Sequence, residues 1–275
     1  MKKISVCIGV VMYFSLALGN FAGAAELPPE EKVTLETTKT VTQVTPDDKK
    51  KCKMYLGVEI RSWFPKMSGQ ETRNSQLDFQ NDLGHGNKEL TAINLTFIEN
   101  SKINGSYESY NFTGNKTALG QKSFGGQNYL AGDGLHSEKK LMYWKIDYLP
   151  NYQKTVDSNF SWLVGIHGYK VNSSVEVSGV ANRKTEQSYS AVLPTFGAHY
   201  KLGGNRPTTY YVELSGTPHT GKGYNYDAEL GFQHKLSPNI VFGGGYRWLT
   251  IQGEKDNDQM NLQLRGPFMQ LNCKL

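Results

Sequence analysis

The sequence predicts an all-β protein whose strands close into a single antiparallel barrel of about ten strands, with eight as the alternative count. Three observations carry this. Only 38% of the 275 residues are hydrophobic, which excludes a bundle of transmembrane helices, each of which needs about 20 consecutive apolar residues. Aromatics make up 12% of the chain, including 16 Tyr and 12 Phe, whereas disordered chains are poor in them. From residue 55 onward, apolar residues recur at every second position. That is the period of a strand with one apolar and one polar face.

Lys2 and Lys3 precede an apolar stretch from Ile4 to Leu18, and Ala22-Gly23-Ala24 supplies a small-x-small cleavage pattern. Residues 1–25 therefore read as a secretory signal peptide. Its removal takes Lys2 and Lys3 and no acid, so the formal charge falls from +5 to +3. Such a mild excess lacks the clustered basic face of a nucleic-acid binder, and no nucleic-acid partner is expected. Residues 26–50 are rich in Pro, Thr, Glu and Lys and contain no aromatic residue, so they read as a mobile segment. The barrel is assigned to residues 51–275.

The strands follow in order. Leu56, Val58, Ile60 and Phe64 share one face of the first, with Gly57, Glu59 and Arg61 on the other. Ile93, Leu95 and Phe97 mark the second, and Ile103 to Thr113, with Glu108 on its polar side, the third. Met142, Trp144, Ile146 and Tyr148 alternate with Lys145 and Asp147 in the fourth. Phe160, Trp162, Val164 and Ile166 alternate with Ser161, Gly165 and His167 in the fifth. The sixth sets Pro194, Phe196, Ala198 and Tyr200 against Thr195, Gly197 and His199. The seventh sets Tyr210, Val212 and Leu214 against Tyr211 and Glu213. Tyr224 to Phe232 carries Asp227, Glu229 and Gly231 on its polar face, Ile240 to Trp248 carries Gly243, Gly245 and Arg247, and Met269 to Leu275 closes the chain.

Connections alternate in character. Residues 65–88 and 114–136 read as long polar loops, while Asn100-Ser101-Lys102, Gly203 to Pro207 and Ser237-Pro238-Asn239 read as tight turns. Long loops at one end and short turns at the other, small residues on the polar faces and aromatics toward strand ends favour a membrane barrel over a soluble sandwich or lipocalin-like barrel.

Four segments carry a family resemblance: LDFQNDLGHGN (77–87), SFGGQNYLAGDGLHSE (123–138), GYRWL (245–249) and GPFMQLNCKL (266–275). Over about residues 52–275 the chain resembles the small outer-membrane β-barrel proteins of diderm bacteria. The resemblance implies an outer-membrane location, with both termini periplasmic. It also implies membrane lipid and the barrel-assembly machinery as partners. The chain ends in Leu275, where such barrels usually end in an aromatic.

The polar faces place many charges inward, and a buried charge must be paired or hydrated. Hairpin arithmetic predicts that Glu229 faces Arg247, Tyr211 faces Glu229, Glu213 faces Asp227, His199 faces Tyr211 and Asn94 faces Glu108. The expected lumen network is His199, Tyr211, Glu213, Asp227, Glu229 and Arg247, acting as a salt-bridged plug. This reading makes the protein a structural or surface-interaction barrel. The alternatives are a narrow pore for small solutes or ions, and an outer-membrane hydrolase built on Glu213, Asp227 and His199. No catalytic motif, metal spacing or cofactor motif is present, since Gly243-Gly244-Gly245 lacks the helix and Lys-Ser/Thr of a phosphate loop. Closing the sheet would bring Cys52 beside Cys273 at the seam, a disulfide candidate in an oxidising compartment.

Overall fold

The computed structural model describes residues 55–275 apart from 73–75, 86–89, 99–100, 125–126, 151, 153–157, 178–182, 205, 218–222 and 256–257. The expected signal peptide, the 26–50 segment and Cys52 lie outside the described residues. Fourteen strands are described: β1 (Tyr55–Trp63), β2 (Lys66–Thr72), β3 (Gln76–Asp78), β4 (Leu90–Ile98), β5 (Lys102–Thr117), β6 (Lys122–Phe124), β7 (Gln127–Tyr129), β8 (Gly134–Leu149), β9 (Ser158–Val177), β10 (Lys184–Leu202), β11 (Thr208–Gly216), β12 (Gly223–Lys235), β13 (Ile240–Lys255) and β14 (Asp258–Lys274).

Ten of them form a closed ring, in the order β1-β4-β5-β8-β9-β10-β11-β12-β13-β14, with β14 pairing back onto β1. Neighbours in the ring are antiparallel, as strands joined in sequence order must be when the connections are hairpins. Beyond a break at Phe64 and Pro65, β2 continues the line of β1 along β14 and carries β3 as a short hairpin. Pro267 lies opposite that break, and its carbonyl accepts the Phe64 N–H at 3.0 Å. The hairpin of β6 and β7 sits within the β5–β8 connection.

The ten expected strands are the ten ring strands, and the closed antiparallel barrel is the fold. The strands run well past their expected ends, however. The regions read as polar loops, 65–88 and 114–136, contain β2, β3, β6, β7 and the extensions of β5 and β8. The reason is visible in β9. Phe160, Trp162, Val164 and Ile166 point outward and are about half exposed. Past Gly168 the sense of the alternation reverses. Tyr169, Val171, Val175 and Val177 point inward and are buried, while Lys170 and Glu176 face out and are exposed.

The same inversion occurs in β10, where outward Tyr200, Phe196 and Val192 give way to outward Ser190 and Glu186 over inward Leu193 and Tyr189. It recurs in β14, where outward Met269 is followed by outward Arg265 and Gln263 over inward Leu264, Leu262 and Met260. A reading that follows one apolar face stops where that face turns polar.

The barrel thus has two storeys. In the storey toward the short turns and the C-terminus, the exterior is apolar and the interior polar. In the storey toward the long loops, the exterior is polar and the interior is an apolar core including Tyr110, Leu135, Leu141, Val171, Ile251 and Leu262. The nine residues from Phe160 to Gly168 rise roughly 30 Å along the strand and about 23 Å along the barrel axis at a tilt of about 40°, the height of a lipid-facing band.

Candidate functional site

The site with the densest chemistry is the polar interior of the lower storey. Small residues make room for it. Gly165 faces inward on β9, and a Cβ there would lie 2.2 Å from Asp147 Oδ1 and 2.5 Å from the Ile146 carbonyl. Glycine therefore lets the Asp147 carboxylate cross to His167, whose Nε2 lies 2.9 Å from Oδ1.

Arg247, on β13, is fully buried and ties three strands together. Its Nε and Nη2 donate to the two oxygens of Asp227 on β12, each at 2.8 Å. Its Nη1 donates to both oxygens of Glu108 on β5, at 2.8 and 2.9 Å, across the barrel. The bidentate Asp227 pair uses the planar guanidinium fork in a way that an ammonium cannot, and leaves Nη1 for both oxygens of Glu108. Trp63 stacks beneath it, the ring centre 4.7 Å from Cζ, and the Tyr110 hydroxyl donates to Glu108.

Arg61, on β1, two strands from β13 in the ring, builds a second cluster. Its nitrogens reach Glu59 Oε1 at 3.2 Å, Glu229 Oε1 at 2.5 Å and Gln270 Oε1 at 2.9 Å, over the Phe268 ring at 4.4 Å. Asn94 donates to the same Glu59 oxygen at 2.6 Å. Lys145 is the third cation, with its Nζ 3.4 Å from Asp227, 3.5 Å from Glu213 and 3.9 Å from Asp147. Beside it, His167 Nδ1 lies 2.8 Å from the Tyr143 hydroxyl and 3.0 Å from Asn225 Nδ2, and Asn225 Oδ1 accepts from Thr217 at 2.7 Å.

All six expected network residues point into this interior. Glu229 and Arg247 are cross-strand partners, with Arg247 Nε 3.5 Å from Glu229 Oε1. The other four expected pairings are displaced by two residues, and Tyr211 stands opposite Gly231 rather than Glu229. Glu213 stands opposite Glu229, and Asp227 opposite Ser215. His199 stands opposite Glu213, and Asn94 opposite Ser106.

At β10–β11 and β11–β12 the turns explain the displacement. Gly203 takes a φ of +76° and its carbonyl accepts from Arg206 N at 2.9 Å, which centres the β10–β11 turn one residue later than expected. A φ of +115° at Gly223 and the Thr217 N–Asn225 O bond at 2.9 Å do the same for β11–β12. Moving a turn by one residue moves pairs by two and keeps every face.

The displaced register changes the chemistry. Glu213 and Asp227 do not form a mutually repelling carboxylate pair, since Lys145 sits between them. His199 Nδ1 lies 3.6 Å from Glu213 Oε2, and its ring stacks on Tyr152 at 5.3 Å and tilts against Tyr211 at 5.7 Å. Among the described residues, neither His199 ring nitrogen has a hydrogen-bond partner. Sequence reasoning missed Tyr143, Tyr152, Lys102 and Lys201. Extending the inward parity of Lys145 and His199 by two residues would have found Tyr143 and Lys201, whereas Tyr152 lies in a turn and has no parity. Cys273 is buried on the outward face, opposite Val58 and Ile240.

Among the described residues this storey holds a cavity of about 30 Å³ among Glu59, Lys145, His199 and Glu213 and another of about 90 Å³ at the short-turn mouth. A closed antiparallel ring with an outward apolar band and a polar, charge-paired interior defines a transmembrane β-barrel of the outer-membrane class.

No family model matches the sequence, and no curated protein matches it. Solved structures similar to it include the outer membrane protease OmpT from Escherichia coli. That match has 7% identity and a TM-score of 0.47, and covers 86% of this chain and 99% of that one. Ail, the attachment invasion locus protein of Yersinia pestis, matches at 10% identity and TM-score 0.34, over 78% of this chain and 98% of its own. Neisserial surface protein A matches at 9% and 0.34, over 80% and 97%. Likenesses at this level carry no functional argument.

Proposed function

We propose that this protein is a sealed outer-membrane barrel that acts through its surface, the long-loop end facing outward and both termini periplasmic. The observation that carries this reading is the filling of the interior. The lower storey is closed by the Arg247, Arg61 and Lys145 clusters, and the upper by an apolar core, and the lower-storey cavities of about 30 and 90 Å³ hold a few waters at most. The salt-bridged network is thus a plug rather than a conducting path or a reaction centre. Every carboxylate of the hydrolase alternative is committed to a neighbouring cation or ring, and the pore alternative lacks a continuous lumen among the described residues.

Single-channel recording in planar bilayers tests the reading. The expected result is a quiet membrane with folded protein inserted, and steady openings would overturn it.

A further inference from the structure

The plug leaves one opening unexplained, the short-turn mouth, and its charge is one-sided. Four lysines reach it from four different strands: Lys102 at the start of β5, Lys201 on β10, Lys235 at the end of β12 and Lys274 at the end of β14. All four line one cavity of about 90 Å³. Inward parity places them there, for Lys201 follows His199, Lys235 follows Gln233 and Lys274 follows Asn272 on the lumen face. Glu59, on its floor, is the only acid lining the cavity among the described residues. No acid lies within 4.0 Å of the Lys102, Lys201 or Lys235 ammonium groups among the described residues, whereas Lys139, Lys145, Arg61 and Arg247 each have such a partner.

Tyr152 stands in the middle of the mouth, its ring 4.9 Å from Lys102 Nζ and 5.6 Å from Lys201 Nζ. Beneath it lies His199, 5% exposed and lining the smaller cavity that shares Glu59, Lys102 and Tyr152 with the mouth. Like charges brought together at the rim of a low-dielectric lumen repel one another, an arrangement that an anion relieves. The acid excess deeper in the lumen supplies part of that relief from below. It supplies no contact within 4.0 Å to Lys102, Lys201 or Lys235 among the described residues, and the cavity has room for a group of about three water volumes.

We propose that the short-turn mouth is a binding site for a phosphate group, held by Lys102, Lys201, Lys235 and Lys274. The site is independent of whether the lumen conducts. Phosphate can come from a free anion or a small phosphorylated solute in the aqueous compartment, or from a phospholipid headgroup folded over the rim.

The test uses the full protein, folded in non-ionic detergent and titrated calorimetrically with inorganic phosphate, against chloride at matched ionic strength. Saturable phosphate binding is expected, weakened at least tenfold in K102Q/K201Q and in K235Q/K274Q. K140Q/K170Q, on the outer wall, should leave it unchanged. Folding of each variant is checked by its unboiled electrophoretic migration, and the paired variants at different strands keep the test open if one of them fails to fold. Repeating the titration in phosphatidylglycerol and in phosphatidylcholine nanodiscs separates the sources. Binding retained in both identifies a free anion, and binding competed away by the lipid phosphate identifies a headgroup. Absence of saturable binding in detergent, or equal binding by wild type and both double variants, would overturn the proposal.

Discussion

The lower and upper storeys are built from the same strands with opposite chemistry. Below Gly168, β9 shows lipid Trp162 and Ile166 and hides Ser161 and His167. Above it, β9 shows water Lys170 and Glu176 and hides Val171 and Val175. The lower interior is held by charge-assisted hydrogen bonds, the upper by burial of apolar side chains, with one Lys139–Glu71 pair at 3.1 Å among them. The difference shows that the side of the wall that must be apolar is set by the solvent outside it. Lipid accepts an apolar exterior and leaves the interior to polar pairing, while water outside requires the interior to supply the hydrophobic effect.

The comparison breaks most readily at Arg247. Arg247→Met strands Glu108 without its cation and leaves Asp227 only Lys145, and a buried pair that loses one partner costs about 3–5 kcal/mol. Urea unfolding in lipid vesicles measures it, and a loss under about 1 kcal/mol would mean that water replaces the guanidinium. In the upper storey, Leu141→Ala removes a fully buried side chain and should cost about 3 kcal/mol. The loss should show as faster proteolysis of the long-loop end, with the heat-dependent gel shift of the lower barrel intact.

The boundary itself is tested on one face of one strand. Val164→Lys, facing lipid at the middle of the band, should destabilise by about 2–4 kcal/mol. Asn172→Lys, eight residues further along the same face, should change stability by less than about 0.5 kcal/mol. Equal costs would refute the inversion.

The smallest effect concerns His85, in the segment after β3. It is buried against Ser137 Oγ at 3.2 Å. Burial, with the Lys139 ammonium nearby, pushes its imidazole from the usual 6.5 down to about 3. A base with a depressed folded value takes up its proton only on opening. Stability here is therefore full above about pH 6.5 and falls as pH drops toward 3. His85→Gln should flatten that slope in hydrogen exchange of the upper storey.

The ring was legible because lipid-facing alternation is strong. Ile93, Leu95 and Phe97, or Trp162, Val164 and Ile166, admit one reading. The upper storey was not, because an apolar residue at Val171 has the opposite parity to Ile166. A search for one apolar face sees noise where there is a second pattern. The inward identity of Glu229 and Arg247 was legible from parity alone. The contacts across the lumen, such as Arg247 to Glu108, were not, because they join walls that no hairpin links. The two-residue displacements at Glu213 and His199 came from turns whose centres depend on the glycines at 203 and 223.

The reversal at Gly168 also decides how the protein fits a membrane. Strand length does not measure hydrophobic thickness here, for β9 has 20 residues and only its first half meets lipid. Thickness is encoded as a parity change. If one residue were lost at that point, Tyr169, Val171, Val175 and Val177 would fall in line with Phe160 to Ile166. A lipid band of ordinary height would then become a ribbon nearly twice as tall, which no bilayer matches without thinning the protein's contact or tilting it steeply.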